Sequence, residues 1–226
     1  MKKLFLLVIV GFISSCSLFD SKLIIGGEEA LTKDVRLYPS AQNKPSQNPF
    51  LQVAWSHLPE GNAWTVITQE AIETYGQSLM SIVPDDIEDF CPRYLDLTRG
   101  QKGDFWVHLI SKLAYYESDY NTDEMYTENF PDRNGIPVIS RGLLQLSKES
   151  ANGYGCHINN PLELNIPQIN LACAVRIMNH WVPRDGIIVK KIGQNWRGVA
   201  RYWSPFRNNK KRQEIKLYTS SLRMCH

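Results

Sequence analysis

The stretch GDFWVHLISKLAYYES, Gly103 to Ser118, leaves the backbone little choice. Phe105, Leu109, Leu113 and the Tyr116–Glu117 pair recur at helical spacing, which predicts an amphipathic helix with a wide apolar face. Glu117 falls on the stripe of Leu109 and Leu113, four residues further at each step. A carboxylate on a core-facing stripe needs a reason, because an unpaired buried charge is costly. Either an Arg or Lys pairs with it, or the apolar wall keeps it protonated as a catalytic acid.

The flanking segments are helical too. TVITQEAIETYGQSLMSI places Val66, Ile67, Ala71, Ile72, Tyr75, Leu79 and Ile82 at helical spacing, with Gly76 as a weak point and Pro84-Asp85-Asp86 as the break. Thr98 and Gln101 form a capping box ahead of the Glu117 helix. Residues 119–140 read as a long polar loop, and loops of that length in a compact domain are usually functional. A short helix follows near 147–153, then a longer one with Leu171, Val175, Met178 and Val182 on one stripe. NWRGVARYWS also reads as helical, with Trp196, Val199, Ala200 and Trp203 on one core-facing stripe. There are no internal repeats and few alternating runs, so the expected class is mainly α.

The N-terminus gives the compartment. MKKLFLLVIVGFISSC has a basic start, an apolar stretch of about ten residues and small residues before a cysteine. That is too short for a membrane-spanning helix. Residues 1–15 read as a signal peptide and ISSC resembles the bacterial lipobox, which implies lipidation of Cys16 and a membrane anchor. Ser17 in place of Asp resembles lipoproteins bound for the periplasmic face of the outer membrane. Residues 16–50, rich in Pro, Ser, Asn and Gln towards their end, read as a tether, and 51–226 as the folded domain. Within the tether, LIIGGEEA resembles the new N-terminus of activated trypsin-like proteases, but no Gly-Asp-Ser-Gly-Gly motif follows.

Four further cysteines in an exported chain favour two disulfides over metal ligation. Four cysteines allow three pairings; locality favours Cys156 with Cys173 and Cys91 with Cys225. The five histidines show no metal spacing, and no metal or cofactor is expected. The formal net charge is +2, and Lys2 and Lys3 lie in the leader, so nucleic acid is not an expected partner.

Four short motifs occur in order between Phe105 and Trp203: Glu117-Ser118 closing a helix, Gly142-Leu143-Leu144-Gln145, Asn170-Leu171 opening a helix, and Ala200-Arg201-Tyr202-Trp203. Their order and spacing resemble the lytic transglycosylase domain of the lysozyme superfamily. The resemblance implies a lysozyme-like (goose-type lysozyme/lytic transglycosylase) domain, its core about 100–205, preceded by a helical front extension that includes FCPRY. It implies Glu117 as the single catalytic acid and base, with Ser118, Leu144, Gln145 and Tyr202 contacting substrate. Leu144 stands where the family has Met, a volume-conserving change. Arg201 and Trp203 stand where Ala and Asn are usual, which puts substrate contacts there in doubt.

The implied reaction cleaves the β-1,4 bond between N-acetylmuramic acid and N-acetylglucosamine in peptidoglycan glycan strands. The muramic C6 hydroxyl attacks and a 1,6-anhydro end forms. A glutamate against an apolar wall suits the acid, because burial keeps its proton near neutral pH. Asp119, Asp123, Glu124, Glu128 and Asp132 read as solvated loop charges. If one of them faced Glu117, the reaction would instead be hydrolysis, as in goose-type lysozymes. A non-catalytic wall-binding lipoprotein is the rival from another class. A monomer is expected. Arg141 is read equally as holding a peptide carboxylate or as a surface residue.

Overall fold

The structure is a computed structural model that describes residues 51–226. The expected signal peptide and tether, with Cys16 and the LIIGGEEA segment, lie outside the described residues.

Among the described residues six α-helices carry the fold: α1 (Gly61–Tyr75), α2 (Gln77–Ser81), α3 (Arg99–Ser118), α4 (Lys148–Gly153), α5 (Pro167–Asp185) and α6 (Asn209–Ser220). Two antiparallel hairpins complete it: β1 (Met125–Pro131) with β2 (Pro137–Arg141), and β3 (Val189–Ile192) with β4 (Asn195–Gly198). The domain is therefore mainly α, as the periodicity predicts.

Helix α3 is the spine. The Thr98–Gln101 capping box is present in both directions and starts it. Phe105, Trp106, Leu109, Ile110, Leu113 and Ala114 are all fully buried, so α3 is covered on most of its circumference by α1, α2 and α6. Burying each of its large apolar side chains contributes about 1.5–3 kcal/mol relative to exposure. The helix end that carries Glu117 is thus held as firmly as any part of the core. Helix α5 is the second spine, and its stripe of Leu171, Val175, Met178 and Val182 is fully buried.

The front extension packs as a lid on α3. The glycine break falls where expected: α1 stops at Tyr75 and α2 restarts after Gly76. The indole N–H of Trp106 donates to Leu79 O (3.2 Å) and to the Tyr94 hydroxyl (3.1 Å), tying α3 to α2 and to the turn after Cys91. The disulfides pair as locality predicts, Cys91 with Cys225 and Cys156 with Cys173. The first joins the extension to the C-terminal turn; the second joins the segment after α4 to α5. By loop-closure entropy a long-range bridge contributes about 5 kcal/mol and a short one about 3 kcal/mol.

Two expectations are corrected. The polar loop of residues 119–140 contains the β1–β2 hairpin, paired Met125 with Arg141, Tyr126 with Ser140 and Thr127 with Ile139. Its turn is closed by the Asp132 carboxylate, which accepts from the amides of Asn134 and Ile136, with Gly135 at φ +79°. Six of the seven β1 residues are exposed, so no inward–outward alternation marks the strand. Nor does NWRGVARYWS form a helix: β4 ends at Gly198, and a single 3-10 turn spans Val199–Arg201. Gly198 adopts φ +61°, and a Cβ there would lie 2.1 Å from Ile188 O. In consequence Trp203 is buried, whereas Trp196 is half-buried under Lys191 and Arg212.

Candidate functional site

The end of α3 opens onto a cleft of about 1300 Å³. Asp119 and Tyr120 take left-handed backbone conformations, φ +49° and +66°, and turn the chain off the helix directly after Glu117-Ser118. Non-glycine residues rarely adopt that conformation, and two in succession mark a constrained helix exit. Glu117 lies at the cleft floor; the hairpin supplies one wall through Tyr126, Glu128 and Phe130, which alternate along β1.

Glu117 is half-buried by surface area because the cleft opens over it. Its Oε1, however, is shut off from solvent and has no hydrogen-bond partner within the protein. Burial pushes its pKa up to about 8. Lys211 pulls it down, the charge of Glu128 pushes it further up, and Arg207 pulls it down. No salt bridge engages Glu117 among the described residues, so the ion-pair explanation for a carboxylate on this stripe does not hold.

Glu128 is the half-buried residue of β1, and its carboxylate accepts a 2.6 Å hydrogen bond from the Ser140 hydroxyl on β2. It lines the same cleft as Glu117, near enough for its charge to act on it. Glu124 and Asp132 also line the cleft, whereas Asp119 and Asp123 do not.

Beside Glu117 runs the Gly142–Gln145 turn. Gly142 has φ +72°, and a Cβ there would sit 2.1 Å from Leu164 O and 2.6 Å from Asn170 Nδ2, so no larger residue fits. Gln145, also left-handed at φ +47°, lines the cleft while its Nε2 donates to Glu124 O and Gly142 O. Tyr202 lines the cleft together with Ser147 and Ser150. Burial pushes its pKa up to about 12, so the phenol is neutral.

Ser118 and Leu144 do not line the cleft. The Ser118 hydroxyl is buried and donates to Ala114 O and Leu143 O, pinning the helix end to the turn. Leu144 is fully buried; its N–H donates to Asn170 Oδ1 and its carbonyl accepts from Trp203 Nε1 (3.0 Å). Both stand behind the cleft rather than in it.

Three further residues of the motifs, Asn170, Arg201 and Trp203, brace the site. Asn170, fully buried at the start of α5, accepts from Leu144 N and donates to Arg141 O and Leu164 O. It is the hub of the turn, and in sequence it opens the third of the four motifs. Trp203 is the second brace, which explains the departure from Asn at that position. Arg201 spends its guanidinium on Asp185, with bonds of 2.6 and 2.9 Å, and holds that carboxylate below its usual range. Arg207 and Lys211, whose charges reach Glu117, belong to a basic run between Arg207 and Lys216.

A mainly α fold whose spine helix ends in a shielded glutamate, under an open cleft walled by a hairpin, defines a lysozyme-like protein of the glycan-processing class. Three solved structures agree, all of DslA (Bd0314) from Bdellovibrio. The wild-type protein superposes with a TM-score of 0.75 at 38% identity over 77% of this chain and 98% of that one. Two Glu-to-Gln variants match with TM-scores of 0.75 and 0.74 at 37% identity, over 77% of this chain and 97% of each of theirs. The chain belongs to the DslA family. The two glutamates replaced in those variants lie eleven residues apart, the same separation as Glu117 and Glu128. No protein-family model matches the chain, and no curated protein matches it.

Proposed function

We propose that this protein is a peptidoglycan muramidase that hydrolyses the β-1,4 bond between N-acetylmuramic acid and N-acetylglucosamine. The observation that carries this reading is the carboxyl pair: Glu117, unpartnered and shielded on the cleft floor, and Glu128, hydrogen-bonded on the hairpin wall. Their unlike environments separate their roles. Glu117 keeps its proton at neutral pH and delivers it to the glycosidic oxygen as the bond breaks. The Glu128 carboxyl group balances the positive charge developing on the sugar ring or activates the water that completes hydrolysis. Gln145 and Tyr202 offer hydrogen bonds to sugar substituents, and Tyr126 and Phe130 offer exposed rings for the apolar sugar faces.

The lytic transglycosylase reaction is the second reading. It is favoured by the order of the four motifs and by Glu117 being the cleft carboxyl that burial holds protonated. There Glu117 acts alone, as acid and then as base towards the muramic C6 hydroxyl. Mass spectrometry of the sugars released from purified sacculi separates the two. Reducing ends, one water heavier, are the expected products; 1,6-anhydro ends would establish the second reading instead. Absence of release would leave a wall-binding protein and end both.

The proposal extends to location: a monomer lipidated on Cys16 and held at the periplasmic face of the outer membrane. One acyl chain binds a membrane only marginally, so a stable anchor needs more than one. Cys16→Ser is expected to leave the domain folded and active but move it from the membrane fraction to the soluble one. A Cys16→Ser protein that stays in membranes through a salt wash would refute the anchor.

A further inference from the structure

A second pocket, about 520 Å³, opens at the far end of α4, where it is lined by Tyr75, Gly153, Tyr154, Arg176, Asn179 and His180. None of the six is acidic. The Arg176 guanidinium lies 3.7 Å above the Tyr75 ring, and among the described residues no carboxylate stands within ion-pair distance of it. Stacking engages the face of a guanidinium and leaves the N–H groups at its edge free to bind a carboxylate in a two-pronged fork.

Two neighbouring polar groups have the same polarity. Asn179 Oδ1 accepts from Leu79 N (3.0 Å), which leaves the Nδ2 hydrogens as the side chain's free donors. The Tyr154 hydroxyl accepts from Trp181 Nε1 (2.7 Å), which leaves its own proton to donate. Arg176, Asn179 Nδ2 and the Tyr154 hydroxyl thus set donors around one cation, an arrangement that suits an anion with acceptor oxygens. The support is rigid: the Cys156–Cys173 bridge fixes the segment after α4 onto α5, three residues before Arg176.

The pocket's position names the anion. Ser147, Glu149 and Ser150 of the α4 region line the catalytic cleft, and Gly153, at the other end of the same short helix, lines this pocket. The Tyr154 ring packs 6.2 Å from that of Tyr202, which lines the cleft, so a pair of packed aromatic rings lies between the two spaces. An extended peptide covers about 3.3 Å per residue, so a branch of three or four residues reaches from one to the other.

We infer that Arg176, Asn179 and Tyr154 form a carboxylate site for the acidic stem peptide carried by a glycan strand bound in the cleft. The inference rests on the muramidase reading for its substrate. Its first test does not depend on that reading. The protein is titrated with a tripeptide Ala-Glu-Lys bearing free carboxylates, with the same peptide as its carboxamides, and with inorganic phosphate. Backbone amide NMR shifts at Gly153–Gly155 provide the readout.

The free-carboxylate peptide is expected to shift those signals, the carboxamide form to leave them unmoved, and Arg176→Gln to weaken binding about tenfold or more, as loss of a bidentate charged contact does. In turnover, Arg176→Gln should raise KM on peptide-bearing strands and leave cleavage of peptide-stripped strands unchanged. Equal peptide binding by wild type and Arg176→Gln would overturn the site. So would phosphate binding at least as tightly as the peptide, which would make it a free-anion pocket. An equal loss of activity on both strands would assign Arg176 a purely structural role. If wild type cleaves neither strand, the muramidase reading fails while the titration still decides the pocket.

Discussion

Glu117→Gln should lower glycan cleavage by about 10²–10⁴-fold, the usual worth of a positioned general acid. Glutamine keeps the size and the hydrogen-bonding atoms and loses only the transferable proton. The fold should gain rather than suffer. In the unfolded chain this carboxyl ionises near its ordinary value of 4.5, whereas in the folded protein it holds its proton to about 8. Between those values the folded state binds more protons than the unfolded one, so stability falls as pH rises through that window. Glu117→Gln removes the dependence. The variant should therefore melt above wild type at pH 8, with the gap closing towards pH 4.5. Thermal melts across that range and turbidity clearing of a wall suspension measure both halves. A Glu117→Gln protein that clears the suspension at the wild-type rate would remove Glu117 from the chemistry.

The helical scaffold was legible because burial writes a period into it. Phe105, Leu109 and Leu113 face the core at helical spacing, and the Thr98–Gln101 box and the Gly76 break are local chemistry needing no tertiary information. Glu117 was legible for the same reason, as a charge on an apolar stripe. The hairpin was not, because six of the seven β1 residues are exposed and its pairing is set by a turn rather than by a core. The error at NWRGVARYWS has a different origin. Val199, Ala200 and Trp203 are indeed buried, but Gly198 is pressed against Ile188 O by a contact that only the folded backbone reveals. Ser118 and Leu144 show the limit of motif transfer: residues adjacent to the chemistry in sequence stand behind it in space.

Glu128, read in sequence as one more solvated loop charge, has the second large expected effect. Glu128→Gln keeps an acceptor for the Ser140 hydroxyl, so the hairpin should survive. Two consequences follow from the lost charge. First, Glu128 raises the pKa of Glu117, so removing its charge lowers that pKa. The alkaline limb of the pH–rate profile, where Glu117 loses its proton, should move to lower pH. Second, if water is the nucleophile, the positioned carboxylate is part of the reaction, and the plateau rate should fall by about 10²-fold or more. If the muramic C6 hydroxyl is the nucleophile and Glu117 acts alone, the limb still moves but the acid-side plateau stands. The limb thus reports that the two carboxyl groups share one electrostatic environment, and the plateau reports which nucleophile attacks. A full pH–rate profile of Glu128→Gln beside wild type reads both. An unmoved limb together with an unchanged plateau would show that Glu128 is the solvated loop charge it first resembles, and the two-carboxylate mechanism would have to be abandoned.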